Sequence, residues 1–248
     1  MNEVNEKDKE LPLWFSSVTI DFPSGLIKML SEFYSKNFGK YFNTKKRIKV
    51  SPYKFCNLHF GETAYFCSDS KGDILGLCII DIPIYIGRLE IGIITNLIID
   101  KKYRKRGLAT SLLKYALYTI DQDNKKHGYN ELYVGMYTVN PISLWTLEKI
   151  PGVSYINLYD NPEIKNSLQR YFIDQKGNDI DARFKFISDT ILENCSGIDI
   201  YQNAKELDEY NSDLINWYSG LMGKLEKPNQ EWFLLTKVED LDEFKLDN

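Results

Sequence analysis

The chain has 248 residues, 43% hydrophobic and 27% charged, which suits one large or two small globular domains with an ordinary core. A formal charge of −4 turns it away from nucleic acid as a main partner. Four cysteines without C-x-x-C spacing and only two histidines offer no zinc framework, and no stretch has the ~18 apolar residues of a membrane span. A cytoplasmic protein with reduced thiols, no metal and no membrane partner is therefore expected.

Residues 1–10 are polar and charged and are predicted to be disordered. A first strand is predicted from Leu13 to Phe22, stopped by Pro23. Ser24 is placed to cap a helix carrying Leu26, Ile27, Leu30, Phe33 and Tyr34 at helical spacing. A basic turn, Lys45-Lys46-Arg47, leads to a poorly defined segment ending at Phe60. Thr63–Cys67 and Ile74–Ile82 are β-rich and joined by the turn Ser70-Lys71-Gly72-Asp73. Leu89–Ile99 is apolar on both faces, as inside a covered sheet.

A helix is predicted after Gly107, with Leu108, Leu112, Leu113, Ala116, Leu117 and Ile120 on one face and a C-cap near His127-Gly128. Glu131–Tyr137 is the next strand. Asn140 and Pro141 are the N-cap and first residue of a helix to about Lys149, and Val153–Tyr159 reads as a strand. Residues 160–230 read as a helical insertion, with stripes Ile180/Phe184/Ile187/Ile191 and Leu207/Leu214/Trp217/Tyr218/Leu221 taken as core-facing. Residues 231–238 return to strand, and 239–248 form an acidic tail.

The segment Ile94 to Thr110 carries the most chemistry. A buried strand runs into the basic turn Arg104-Lys105-Arg106 and then into Gly107 at the mouth of an amphipathic helix. Unpaired helix N-terminal amides inside a cluster of positive charge suit a pyrophosphate. The amides of Arg106, Gly107, Leu108 and Ala109 can face it, Thr110 adds a hydroxyl, and Gly107 lets a phosphate approach the backbone. The plain alternative is a solvated basic turn or a localisation signal, with Gly107 merely starting a helix and Asn140 merely capping one.

Arg104-Lys105-Arg106-Gly107-Leu108-Ala109 resembles the [Q/R]-x-x-G-x-[G/A] signature of the GCN5-related N-acetyltransferases, with Leu97–Tyr103 leading into it and Asn140–Lys149 resembling a downstream segment of that family. The resemblance implies a mixed α/β acyl-CoA N-acyltransferase fold over residues 11–159 and 231–238, with acetyl-CoA as cosubstrate. It implies a cofactor site built from Leu97, Ile98, Ile99, Arg104, Lys105, Arg106, Gly107, Leu108, Ala109, Thr110 and Asn140. It also implies that the pantetheine arm lies between Leu97-Ile98-Ile99 and Leu132-Tyr133-Val134.

The family's usual acid and base are absent from their places: Ile93, Thr95 and Gly135 stand where a glutamate is frequent, and Leu147 where a tyrosine is. Tyr137 is the first substitute as acid, with Glu90 or Asp81 acting through a water. Positioning alone could supply the rate, or the chain could be a non-catalytic acyl-CoA-binding sensor or scaffold. The expected activity is direct transfer of acetyl to an amine of a small molecule, an amino sugar or a protein. The 160–230 segment is expected to build a lid or a deeper acceptor pocket, or else to be a homodimer patch or an embellishment of the fold.

Overall fold

The structure, a computed structural model, describes residues 13–38, 46–138, 140–174, 184–194, 212–227, 230–239 and 241. The expected disorder of 1–10, most of the expected acidic tail, and Ile180 and Leu207 lie outside those residues. Among the described residues nine strands join one sheet in the order β1-β2-β3-β4-β5-β9-β8-β7, with β6 paired to the same outer edge of β9 as β8. The strands are β1 Trp14–Thr19, β2 Thr63–Ser68, β3 Ile74–Ile86, β4 Leu89–Ile99, β5 Glu131–Thr138, β6 Val153–Tyr155, β7 Phe184–Ser188, β8 Ile191–Asn194 and β9 Gln230–Val238. β4 and β5 run parallel; the other pairs are antiparallel.

The helices are α1 Gly25–Asn37, α2 Pro52–Leu58, α3 Leu108–His127, α4 Pro141–Glu148, α5 Pro162–Asp174 and α6 Ser212–Met222. α3, α4 and α6 cover the back of the sheet, packing on Cys78, Ile80, Ile94, Val134 and Leu234. α1 and α2 cover the front over Leu77, Ile79 and Ile98, and α5 covers it over Ile91, Ile93, Tyr133 and Phe233. The front is thus split between two apolar clusters, and the gap between them holds the site.

Local chemistry sets most boundaries. Ser24 caps α1 by accepting from the Ile27 amide at 3.2 Å, and the predicted face, Ile27, Leu30, Phe33 and Tyr34, is buried. α3 buries Leu112, Leu113, Ala116 and Leu117 completely; each leucine contributes about 1.5–3 kcal/mol to the stability of that packing. β4 is buried on both faces for most of its length, as its unbroken apolar run requires. α2 was missed in the sequence, although Ser51 accepts from the Lys54 amide and Pro52 opens the helix, a capping pair identical in logic to Asn140-Pro141.

Three expectations are corrected. Residues 160–230 are not a purely helical insertion: between α5 and α6 lies the β7–β8 hairpin, which adds two strands to the sheet through β8 and β9. The helical spacing of Phe184, Ile187 and Ile191 was coincidental. Ile187 is 47% exposed while Leu192 is fully buried, and Thr190, in the turn, donates to the Met222 carbonyl. Among the described side chains of α6 only Tyr218 and Met222 are buried, and Trp217 and Leu221 are surface residues rather than core. The strand expected over Val153–Tyr159 ends at Tyr155, because Asn157 accepts from the Tyr159 amide and opens a 3-10 turn, Leu158–Asp160.

Candidate active site

The basic turn and Gly107 form a cradle at the head of α3. Lys105 and Gly107 both take positive φ, +65° and +76°; the second is a left-handed geometry that strains any residue with a Cβ. A Cβ on Gly107 would meet nothing within 4 Å and would stand in the open mouth of the cradle. No side chain caps α3, and its first helical hydrogen bond is from the Ser111 amide to Gly107 O. The amides of Leu108, Ala109 and Thr110 therefore precede the helical ladder and carry its partial positive charge.

Arg104, Lys105 and Arg106 are exposed around this point. Arg104 Nε donates to Ile99 O at 3.1 Å, and the Arg106 guanidinium lies over the Tyr103 ring at 5.9 Å. Asp100, the one nearby acid in the turn, is engaged by the Lys102 amide and by Lys36 Nζ at 3.1 Å. Burial pushes its carboxyl up, but those two donors outweigh burial and hold it below its ordinary range. The donors, the charge and the open approach fit the pyrophosphate of coenzyme A.

Below the cradle, β4 leaves β5. The two strands pair from Leu89↔Glu131 to Ile94↔Met136 and no further. Between Ile79↔Asn96 and Ile80↔Ile94 the register with β3 skips Thr95, a bulge in β4. From Asn96 to Ile99, β4 pairs with β3 alone, so its other edge offers backbone donors and acceptors to an extended ligand. Leu97, Ile98 and Ile99 are on that edge.

Leu132-Tyr133-Val134 are not opposite them: these residues pair with Glu90, Ile91 and Gly92, in the closed part of the sheet. The far wall is the end of β5, Tyr137 and Thr138, continuing to Asn140. Asn140 caps α4 by accepting from the Ile142 amide at 3.1 Å; its Nδ2 makes no hydrogen bond among the described residues.

The bulge brings together residues far apart in sequence. Thr95 Oγ1 donates to Glu62 Oε2 at 2.8 Å and lies 3.3 Å from Ile79 O. His59 Nδ1 is 3.0 Å from the same Glu62 oxygen, and its buried Nε2 has no partner among the described residues. Glu62 Oε1 makes no hydrogen bond among the described residues. Nearby, Tyr171 of α5 donates to Asp81 Oδ2 at 2.7 Å. Burial pushes the Asp81 carboxyl up, partly offset by the Tyr171 hydrogen bond and reinforced by the charge of Glu62. Burial and the Asp81 charge push the Tyr171 phenol far up, so it remains a donor. Tyr137 packs edge-on against Phe172 at 6.1 Å, on the front face beside this group.

The packing explains why the usual positions carry no acid. A Cβ on Gly135 would sit 2.9 Å from Ile93 Cδ1 and from the Phe233 ring, so no side chain fits there. Leu147 is fully buried in the back cluster. Glu90 is not brought to the cleft. It opens β4 while the cradle closes it, roughly 30 Å away along an extended strand, and it faces the opposite side of the sheet, toward α3. Sequence reasoning missed Glu62 and His59; nothing local marks them, since only the bulge at Thr95 selects them.

Residues 27–144 match the family model of the acetyltransferase (GNAT) family. That stretch, 118 of the 248 residues, runs from α1 through the signature turn into α4, and over it the chain is similar to this family. The ribosomal-protein-S18-alanine N-acetyltransferase from Escherichia coli is 10% identical, over 96% of this chain and 98% of that one, with a TM-score of 0.45. An acetyltransferase of the GNAT family from Streptococcus pneumoniae is 16% identical over 59% and 86%, with a TM-score of 0.41. A spermidine N-acetyltransferase mutant from Vibrio cholerae is 17% identical over 58% and 80%, with a TM-score of 0.39. Comparison with curated proteins gave no match.

Proposed function

We propose that the chain transfers acetyl from acetyl-CoA directly to an amine that enters the front cleft between the two apolar clusters. The reading is carried by one juxtaposition: an uncapped α3 N-terminus, an unpaired stretch of β4, and Glu62 held at the bulge where that stretch begins. Leu108, Ala109 and Thr110 amides, with Arg104, Lys105 and Arg106, bind the pyrophosphate. The edge of Leu97-Ile98-Ile99 pairs with the pantetheine amides, and Asn140 Nδ2 reaches the arm from the other wall.

Acetyl-CoA, when bound, supplies an activated acyl group on sulfur. Glu62 takes the proton from the incoming ammonium on Oε1, while Thr95 and His59 fix Oε2. The amine nitrogen bonds to the acyl carbon as the carbon–sulfur bond breaks, Tyr137 gives its phenolic proton to the departing sulfur, and its phenolate takes back the remaining proton of the acylated nitrogen, leaving a neutral amide. Asp81 and Glu62 give the cleft a negative character that favours a cationic acceptor. α5 walls the acceptor side through Tyr171 and Phe172. The cytoplasm, where acetyl-CoA is available, is the compartment this activity calls for; no helix among the described residues is long and apolar enough to cross a membrane.

Thiol release from acetyl-CoA in the presence of pooled amines tests the activity. Glu62→Gln should lower kcat by about 10²–10⁴-fold, the usual cost of losing an acid–base group, with acetyl-CoA affinity kept. A wild-type protein that binds acetyl-CoA but releases no thiol with any amine would instead be an acyl-CoA sensor. A kcat within threefold of wild type in the variant would remove Glu62 as base.

A further inference from the structure

The back of the sheet holds a second cavity, of about 620 Å³, under the C-terminal half of α3 and at the end of the sheet remote from the cradle. That size lies within the range of small-molecule sites. Its walls come from β1 to β4 and α3 and carry the acids Glu90 and Asp123 but no lysine or arginine. Glu90 is 4% exposed, and no hydrogen bond or ion pair reaches its carboxylate among the described residues. A buried, unpartnered carboxylate costs several kcal/mol if it ionises alone.

On the same helix Lys126 pairs with Asp123 at 3.0 Å and Lys125 with Asp121 at 2.6 Å, and neither lysine lines the cavity. His127, at the mouth, has Nδ1 at 2.8 Å from Asp123 O. Burial pushes the Glu90 carboxyl up to about 7, with His127 lowering it and Asp123 raising it further. Two further features specify the ligand. Tyr85 and Tyr129 bring their rings within 5.3 Å of each other on the cavity wall, an aromatic surface suited to a cation. Thr63 and Thr119 supply hydroxyls, and Asn124, on the same wall, keeps a buried Nδ2 without a partner.

We propose that this cavity is a binding site for a small organic ammonium that also carries a hydroxyl, seated with its cationic nitrogen on Glu90. The ligand would not be acetylated there, because the sheet separates it from Glu62 and the length of α3 separates it from the cradle. The ammonium supplies the counter-charge that Glu90 lacks, and the hydroxyl meets the threonine and asparagine groups.

The test uses trans-4-aminocyclohexanol as probe and cyclohexanol as its uncharged control, by calorimetry on the full chain at pH 8, where Glu90 is ionised. Wild type should bind the amine with a Kd below about 1 mM and the alcohol at least tenfold more weakly. Glu90→Gln should weaken the amine at least tenfold, while Glu62→Gln leaves its affinity within twofold of wild type. If Glu90→Gln does not fold, Asn124→Leu should weaken the probe at least threefold. A wild type that fails to bind, or a Glu90→Gln protein that binds as wild type does, overturns the site. Loss of binding in Glu62→Gln alone also overturns it, by placing the probe in the acceptor cleft, and that outcome leaves the acetyl-transfer reading standing.

Discussion

The cradle and the front cleft proposed to take the acceptor adjoin one another but are built differently. The cradle uses consecutive residues, 99–111, and its recognition groups are mostly backbone amides fixed by a glycine geometry. The cleft draws Glu62, Asp81, Thr95, Tyr137 and Tyr171 from five separate elements or loops, and its groups are side chains fixed by a bulge and by α5. A site made of backbone can tolerate many sequences around one glycine. A site made of distant side chains can change its acid and base without touching the cofactor half, which is how Ile93, Thr95, Gly135 and Leu147 can all be non-ionisable beside an intact signature turn.

That contrast can be broken most sharply at Tyr137. Tyr137→Phe should cut kcat by about 100-fold with acetyl-CoA affinity unchanged, in steady-state rates alongside calorimetry; a kcat within threefold would leave the leaving sulfur without this donor. The converse variant is Gly107→Glu, which puts strain and negative charge into the cradle. Acetyl-CoA should bind more than about tenfold more weakly, or about 1.4 kcal/mol, in a protein that still melts cooperatively, though at a lower temperature because of the strain. Unchanged affinity there would detach the cradle from the cofactor.

Tyr171→Phe removes the hydroxyl that holds Asp81 and should raise the acceptor KM by about three- to tenfold with little change in acetyl-CoA affinity. Equal shifts in both constants would mean that α5 supports the whole domain rather than the acceptor wall.

How much of this was legible follows from the same division. The strand–turn–helix run from Leu89 to Gly128, the hairpin at Gly72 and both capped helices α1 and α4 stand in the sequence as contiguous signals. The register of β4 on β5 does not, because two strands apolar on both faces pair equally well in several alignments. The pantetheine wall was accordingly placed at Leu132–Val134, when the strands part only beyond Ile94↔Met136. β7 and β8 were taken for helix because a four-residue hydrophobic spacing in a short segment cannot separate the two periods. Glu62 was invisible for a different reason: its role depends on a hydrogen bond across 33 residues.

The smallest expected effect lies outside both regions and serves as their control. The Glu90 carboxyl is raised in the folded chain from 4.5 to about 7. A raised acid stabilises the fold fully below the lower value and loses that contribution as pH climbs through the upper one. Wild type should therefore lose melting temperature between pH 4.5 and 7 relative to Glu90→Gln, by about 2–4 °C per kcal/mol for a chain of this size. Parallel curves for the two proteins would mean that water solvates Glu90 better than its burial implies.

β9 lies inside the sheet, between β5 and the β8/β6 edge, yet it is synthesised about a hundred residues after the strand it pairs with; Thr236 Oγ1 donates to Val134 O across 102 positions. While the ribosome is making the intervening segment, β5 presents an unpaired apolar edge next to the parting strands of the cofactor cleft. A nascent chain in that state exposes a template for pairing with its neighbours, and its slowest step should be closure of this long-range contact. Expression at lowered temperature or with added chaperone is thus expected to raise the yield of folded protein, and a chain stopped short of residue 230 is expected to aggregate rather than to persist as a smaller enzyme.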